Sequence, residues 1–435
     1  MALPIVAVVG RPNVGKSTFV NRIAQVNDAI VHEMRGVTRD RSYYRADWNG
    51  KDFLLIDTGG IETAKDDPFA ESIRTQALVA AQEADVIVVL VDGQVGVLEG
   101  DESVARLLKK SGKPIFLAVN KMDTPDRSDE AHLFWGLGLG QPWAVSATHG
   151  HGTGDLLDAI VEALPEAVED DDSGAINVAI IGRPNAGKSS LLNKLAGRDR
   201  AIVSDVAGTT RDALDILLER DGKSYRFVDT AGIRRKSQID QDVEYYGFVR
   251  AMRAIDRASV ALLVIDSTIG VTDGDQRIAR FAEERGTALV ILLNKWDLLA
   301  DDEERDEIIF GVKEKLGFVS YAPYIRISAL TGAKVHRIFT EIDKVYASYT
   351  REISTSSLNR LLSEMRDFGH TVSKGGVALR VHYVTQTHVA PPGFTFFANH
   401  PKLADESFKR YVENRLRERF ELSGTPVTIK FKPKS

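Results

Sequence analysis

Gly10-Arg11-Pro12-Asn13-Val14-Gly15-Lys16-Ser17-Thr18 returns, 172 residues on, as Gly182-Arg183-Pro184-Asn185-Ala186-Gly187-Lys188-Ser189-Ser190. Each copy follows a short apolar, β-branched run (residues 5–9 and 178–181) and leads into a helix-compatible stretch. A Gly-x-x-x-x-Gly-Lys-Ser turn between a strand and a helix converges its backbone N–H groups on phosphate oxygens, and the helix N-terminus adds partial positive charge. Glycine is needed where the backbone approaches phosphate closely or turns with positive φ. Lys16 and Lys188 are expected to reach the β- and γ-phosphates, and Ser17 and Ser189 to ligate Mg2+. One such match is shared with ATPases and kinases; two with the same flanking residues indicate a duplicated nucleotide-binding domain.

Further motifs repeat in the same order. Gly36-Val37-Thr38-Arg39-Asp40 returns as Gly208-Thr209-Thr210-Arg211-Asp212, and Asp57-Thr58-Gly59-Gly60-Ile61 as Asp229-Thr230-Ala231-Gly232-Ile233. Asn120-Lys121-Met122-Asp123 returns as Asn294-Lys295-Trp296-Asp297, and Ser146-Ala147 as Ser328-Ala329. The offset is 172 for the first three pairs, 174 for the fourth and 182 for the last, so insertions fall late in the second copy. Asp57 and Asp229 close apolar runs, where a carboxylate holds Mg2+, usually through water. Thr38 and Thr210 read as switch threonines that complete the Mg2+ shell when a γ-phosphate is present. Gly60 and Gly232 leave a backbone N–H to meet that phosphate, so Lys16, Thr38, Gly60, Lys188, Thr210 and Gly232 form the candidate catalytic set.

Base choice rests on Asp123 and Asp297. A carboxylate accepts from the N1–H and exocyclic amine of guanine, whereas adenine would face it with a lone pair and leave the charge unpaired. Asn120 and Asn294 can tie this loop to the phosphate loop, the stems of Lys121 and Lys295 pack along the base, and Ser146-Ala147 and Ser328-Ala329 would offer N–H groups to the guanine oxygen. The expected ligands are therefore GTP and GDP with Mg2+.

Strand, loop and helix-compatible segments alternate through both copies, the pattern of a mostly parallel α/β sheet with helices on both faces. Ligands of such sheets sit beyond the carboxyl ends of the strands, where all five motifs fall. The expected division is 1–165 for the first P-loop GTPase domain and 166–175 for an acidic linker. Residues 176–350 are the second GTPase domain and 351–435 a small α+β domain. Within the last, the pattern predicts helices over 354–366 and 402–420 and strands over 377–386, 394–398 and 426–431.

Composition narrows the class. The 435 residues are 43% hydrophobic and 27% charged, and include no cysteine, which excludes disulfides and thiolate metal sites and fits a cytoplasmic protein. The N-terminal stretch lacks a basic leader and reads as a first strand, and no apolar run is long enough to span a bilayer. The net charge of −6 is uneven: residues 351–435 carry 14 Lys/Arg against 8 Asp/Glu. That excess suits either an anionic partner or a solvated charged face.

Where many GTPases carry a glutamine that orients the attacking water, Ile61 and Ile233 stand instead. Turnover is therefore expected to be slow or to use another device. Asn13 and Asn185 could hold K+ against the phosphates, stabilising the transition state as an arginine finger does, or could simply brace the loop.

The paired Gly-Arg-Pro-Asn-x-Gly-Lys-Ser loops and the Thr-Arg-Asp runs at 38–40 and 210–212 resemble the Der/EngA family of bacterial double GTPases, of TrmE–Era–EngA type. The tail segments Pro391-Pro392-Gly393-Phe394 and Tyr411-Val412-Glu413-Asn414-Arg415 resemble it too. The resemblance covers essentially the whole chain. It implies a KH-like C-terminal domain, ribosomal RNA and the large ribosomal subunit as partners, and a role in assembling that subunit, with nucleotide state setting the domain arrangement; a monomer is expected. The tail lacks the Gly-x-x-Gly loop by which KH domains clamp a nucleic-acid backbone. Arg410, Arg415, Arg417 and Arg419 could contact phosphate or pair with Glu413, Glu418 and Glu421, and Arg234-Arg235-Lys236 could touch RNA or stay solvated. The tail could also be a docking module that reads nucleotide state. The alternative function is a GTP-gated interaction switch with incidental turnover and a non-ribosomal partner. An RNA-modifying enzyme is disfavoured by the missing cysteine and second catalytic set, and a membrane-associated GTPase by the lack of a lipid-anchor motif.

Overall fold

The computed structural model describes residues 3–26, 43–58, 77–78, 80–81, 84–165, 174–197, 200–202, 215–230, 243–367, 373–374 and 377–433. The expected switch residues Thr38 and Thr210, together with Gly59, Gly60, Ile61, Ala231, Gly232, Ile233 and Arg234-Arg235-Lys236, lie outside these. The chain divides into two compact units, Met1–Asp170 and Asp171–Ser435.

In the first unit the apolar runs become a six-stranded sheet of β1 (Ile5–Val9), β2 (Tyr43–Trp48), β3 (Lys51–Asp57), β4 (Val86–Asp92), β5 (Ile115–Asn120) and β6 (Pro142–Ala144). Their order is β2-β3-β1-β4-β5-β6, and every pairing is parallel except β2 with β3. All seven residues of β4 are buried, which is why a strand covered on both faces reads as an unbroken apolar run. Helices Lys16–Val26 and Thr153–Ala163 contribute Phe19, Val20, Leu156 and Ile160 to a core with Val6, Val8, Phe53, Val88 and Leu90. Full burial of a side chain such as Phe19 or Phe53 contributes about 1.5–3 kcal/mol.

The second unit repeats this sheet with an extra edge strand. Its strands are β7 (Ile176–Ile181), β8 (Arg200–Ile202), β9 (Ile216–Arg220), β10 (Lys223–Phe227), β11 (Val260–Asp266), β12 (Ala288–Asn294) and β13 (Tyr324–Arg326). The order is β13-β12-β11-β7-β10-β9-β8, antiparallel only at β10–β9 and β9–β8. Strands β14 (Ser373–Lys374) and β15 (Val377–Ala378) form a two-stranded ribbon. A three-stranded sheet follows: β16 (Val381–His388), β17 (Gly393–Ala398) and β18 (Thr428–Pro433), with β17–β18 parallel. Helices Thr355–Asp367 and Glu406–Phe420 cover it through Leu358, Leu361, Phe408, Val412 and Leu416. The fold is the expected one: two mostly parallel α/β domains and a small α+β domain.

Boundaries moved where local hydrogen bonds outweigh periodicity. The strand expected over 377–386 splits, because the Arg380 N–H turns to Asn399 Oδ1 at 2.8 Å and β16 begins at Val381. The helix expected from 402 starts at Glu406, where the Asp405 carboxylate caps it by accepting from the Phe408 N–H at 2.8 Å. Residues 401–403, led by Pro401, form a separate 3-10 turn.

Within the second unit the GTPase and C-terminal domains share a bonded seam. Leu289 N donates to Gly424 O (2.7 Å) and Gly424 N to Tyr321 O (2.9 Å). Ser348 Oγ also donates across it, to Glu421 O (3.0 Å).

Candidate guanine-nucleotide sites

Both phosphate loops leave the C-terminal end of a central strand, β1 or β7, and enter a helix at the lysine. A side chain at Gly10 would overlap Leu90 O, and one at Gly182 would overlap Val264 O, so only glycine lets the loop leave against the neighbouring strand. Gly15 and Gly187 sit at φ +97° and +102°, against the carboxamides of Asn120 and Asn294. Lys16 Nζ donates to Gly10 O at 2.7 Å and Arg11 O at 2.9 Å; Lys188 Nζ donates to Gly182 O at 2.7 Å and Arg183 O at 2.6 Å. Both ammonium groups are thus folded into the loop they are expected to offer to phosphate. Burial pulls Lys16 down to about 8, with the Asp57 charge opposing and Arg11 adding to the fall. Burial likewise pulls Lys188 down to about 8, against the charge of Asp275.

Asp57 ends β3, and its Oδ2 accepts from Ser17 Oγ at 2.6 Å. Two hard oxygen donors held together at the mouth of the phosphate loop suit Mg2+, which takes few protein ligands and completes its shell with water and phosphate. Thr58 is buried, its Oγ1 donating to Val8 O at 2.6 Å, and therefore serves the sheet. In the second copy Asp229 lies two residues beyond β10, and Thr230 is buried. Thr18 and Ser190 are exposed in the first turns of the following helices, and Pro12, Asn13 and Asn185 are exposed on the loops. Both asparagines hold left-handed backbone, φ +66° and +61°, a conformation asparagine tolerates better than most residues.

The base-recognition loops are tied to the phosphate loops in the same way twice. Asn120 Nδ2 donates to Val14 O at 2.7 Å while its Oδ1 accepts from Ala147 N at 2.9 Å. Asn294 Nδ2 donates to Ala186 O at 2.7 Å and its Oδ1 accepts from Ala329 N at 2.8 Å. The Ser146 and Ser328 N–H groups go to His151 O and Ala333 O. The N–H groups expected for the guanine oxygen are thus already paired inside the loop, and a base must share them. Asp123 accepts from Ser146 Oγ at 2.7 Å, whereas Asp297 is exposed.

Two pairs of residues escaped the motif reading. Lys121 Nζ donates to Asp92 Oδ2 at 2.6 Å, and Lys295 Nζ to Asp266 Oδ2 at 2.5 Å, fixing lysines whose own backbone is left-handed. Burial pushes both carboxyls up, but the lysines and nearby N–H groups outweigh it and hold them below the ordinary range. Arg11 and Arg183, expected at the nucleotide, each turn Nε to a helix-capping carboxylate: Asp101 at 2.8 Å and Asp275 at 3.1 Å. The signal was present, since all four aspartates recur at an offset of 174.

On the last helix, Arg417 is committed to Glu413 at 2.7 Å and to Leu422 O and Thr425 O at 2.8 Å, and it lies over the Tyr321 ring. Arg415 pairs with Glu418 at 3.0 Å. Among the described residues no helix is long and apolar enough to cross a membrane.

The family described as "50S ribosome-binding GTPase" matches residues 5–121 and again 177–295. The family described as "KH-domain-like of EngA bacterial GTPase enzymes, C-terminal" matches 352–432. GTPase Der of Heliobacterium modesticaldum is 49% identical, covering 98% of this chain and 97% of its own. GTPase Der of Moorella thermoacetica is 46% identical over 99% of each. Among solved structures, Aquifex aeolicus Era bound to GDP.AlF4- aligns with 59% of this chain and 92% of its own, at 22% identity and a TM-score of 0.30. Sharing nearly half its residues with these relatives over almost all of its length, the chain belongs to the GTPase Der family and is a GTPase.

Proposed function

We propose that this GTPase acts in assembly of the large ribosomal subunit, with ribosomal RNA as its partner and nucleotide in two sites gating that contact. The reading treats 1–165 and 176–350 as GTPase domains joined by the linker 166–175, with 351–435 as the KH-like domain. Its support is the duplicated tie between phosphate loop and base loop, at 2.7 Å in both copies, joined to the ribosome-binding description of the matching family.

In each domain the loop N–H groups between Gly10 and Ser17, or Gly182 and Ser189, cradle the phosphates, and Lys16 or Lys188 exchanges loop carbonyls for β- and γ-oxygens. Ser17, Thr38 and Asp57 would hold Mg2+ in the first domain, and Ser189, Thr210 and Asp229 would hold it in the second. Bound Mg2+ supplies neutralisation of the charge that builds on the phosphates as the bond breaks. The Gly60 and Gly232 N–H groups meet the γ-phosphate, and Asp123 and Asp297 select guanine. With isoleucine at 61 and 233, hydrolysis is slow unless K+ held by Asn13 and Asn185 supplies the missing charge.

The test is co-sedimentation with purified ribosomal subunits in K+ buffer. Retention on the large subunit with a non-hydrolysable GTP analogue, and release with GDP, is expected. Equal binding in all nucleotide states, or none, contradicts the gating.

A further inference from the structure

In the C-terminal domain, the three-stranded sheet turns only one of its faces to the helices. Val384, Phe394, Phe396 and Phe431 pack with residues of helices Thr355–Asp367 and Glu406–Phe420. Side chains alternate along a strand, so the residues between these stand on the opposite face. Register sets them in two rows across β16, β17 and β18: Tyr383, Phe397 and Lys432, then Thr385, Thr395 and Lys430. The Tyr383 and Phe397 rings stack, with centroids 4.3 Å and planes 13° apart, yet Tyr383 stays 37% exposed. Lys430 and Lys432 are both exposed.

No aspartate or glutamate occurs in any of the three strands, and among the described residues neither lysine forms an ion pair. The cations of the last helix are placed differently, with Arg415 held by Glu418 and Arg417 by Glu413. Lysine on an edge strand such as β18 blocks pairing with other chains. That role explains neither the lack of carboxylates nor the aromatic pair beside the lysines. The face therefore sets unpaired positive charge next to stacked rings, in a domain whose sequence lacks the Gly-x-x-Gly backbone clamp.

We propose that this sheet face binds single-stranded RNA, with a base stacking on Tyr383 and Phe397 while Lys430 and Lys432 meet phosphates. The inference rests on the RNA partner proposed above and adds the surface that takes it. Every base has a π face, so stacking holds a strand without demanding a sequence. An A-form duplex keeps those faces inside its own stack and leaves the aromatic pair nothing to meet, which selects single strands. Alternate residues of a strand stand about 6.6 Å apart, so the two lysines can follow successive phosphates of an extended chain. Arg410 and Arg419, exposed on the helix that covers the other face, take no part.

The probe is a fluorescein-labelled RNA of about ten nucleotides that cannot pair with itself, bound to the full chain and followed by anisotropy at several salt concentrations. The single strand is expected to bind more tightly than its duplex. Lys430→Gln with Lys432→Gln is expected to reduce the slope of log affinity against log salt by about 1.4. Tyr383→Leu, which keeps an apolar side chain beside Phe397, is expected to weaken binding about fivefold to hundredfold with the slope unchanged. GDP binding by each variant is expected to match the parent, and Arg410→Gln with Arg419→Gln to leave RNA affinity little changed. A strand carrying 5-iodouridine is expected to photocross-link to Tyr383 or Phe397. Affinity that survives both sheet variants, a duplex bound as tightly as the single strand, or displacement of RNA by polyglutamate of equal charge overturns the proposal. If the chain sediments with the large subunit but binds no single strand, this surface is wrong while the ribosomal reading stands. If the sheet variants lose RNA although no subunit is bound, the surface stands and the ribosomal reading falls.

Discussion

Burial of Lys16 and Lys188 makes the first prediction, one of pH dependence. Burial lowers each from 10.5 to about 8, so between those values the unfolded chain binds more protons than the folded one. The contribution of each lysine to stability therefore rises with pH across that window. Nucleotide binding runs the other way, since phosphate charge beside the ammonium raises its pKa and draws a proton in. GDP affinity is expected to fall as pH rises through about 8, with proton uptake visible by calorimetry in buffers of different ionisation enthalpy; flat affinity from pH 7 to 9 contradicts this. Asn13 and Asn185 make a second prediction. Turnover in K+ is expected to exceed that in Na+ by about tenfold or more at fixed ionic strength, and Asn13→Ala with Asn185→Ala to erase the difference. Equal rates in the two salts would leave both asparagines as loop braces. The motif residues were legible because identical spacing repeats them. Asp92 and Asp266 were not, because an aspartate at a strand end has many uses and only the bond to the following lysine shows which one applies.

Strands and helices were easiest to read where burial is greatest. β4, β11 and β12, buried at every position, stand out as apolar runs, whereas β8 and β13, three residues each at sheet edges, leave no pattern. The C-terminal domain lost register for a related reason: Asn399 and Asp405 settle its boundaries through single side-chain bonds that periodicity does not carry. Nor does sequence foretell which loop closes the seam between the second GTPase domain and the C-terminal domain. Gly424, at φ +71°, sits against Val345, with its N–H and carbonyl both bonded across that seam. Gly424→Ala would drive a methyl group into Val345 and strain the turn. A loss of about 1–3 kcal/mol is expected, with faster hydrogen exchange at Leu289 than at Leu117 of the first domain. Unaltered exchange at Leu289 would show that the seam does not depend on this contact.

The duplication explains the chain as a whole: one GTPase unit used twice, each with its own tie between phosphate and base loops, and a third domain bonded to the second copy. The two copies are not equivalent in detail. Asp123 is steadied by Ser146, whereas Asp297 is exposed, so equal chemistry in unequal surroundings is the expected behaviour. That inequality is invisible to motif matching, which records Asp123 and Asp297 as the same residue. The sites themselves can be counted. Equilibrium dialysis of GDP against the full chain, repeated with Asp123→Asn, with Asp297→Asn and with both, is the most direct measurement. Two molecules of GDP per chain are expected, falling to one for either single variant and to none for the double variant. A single site in the parent chain, or a single variant that leaves the count at two, would contradict the existence of two separate guanine-selecting domains.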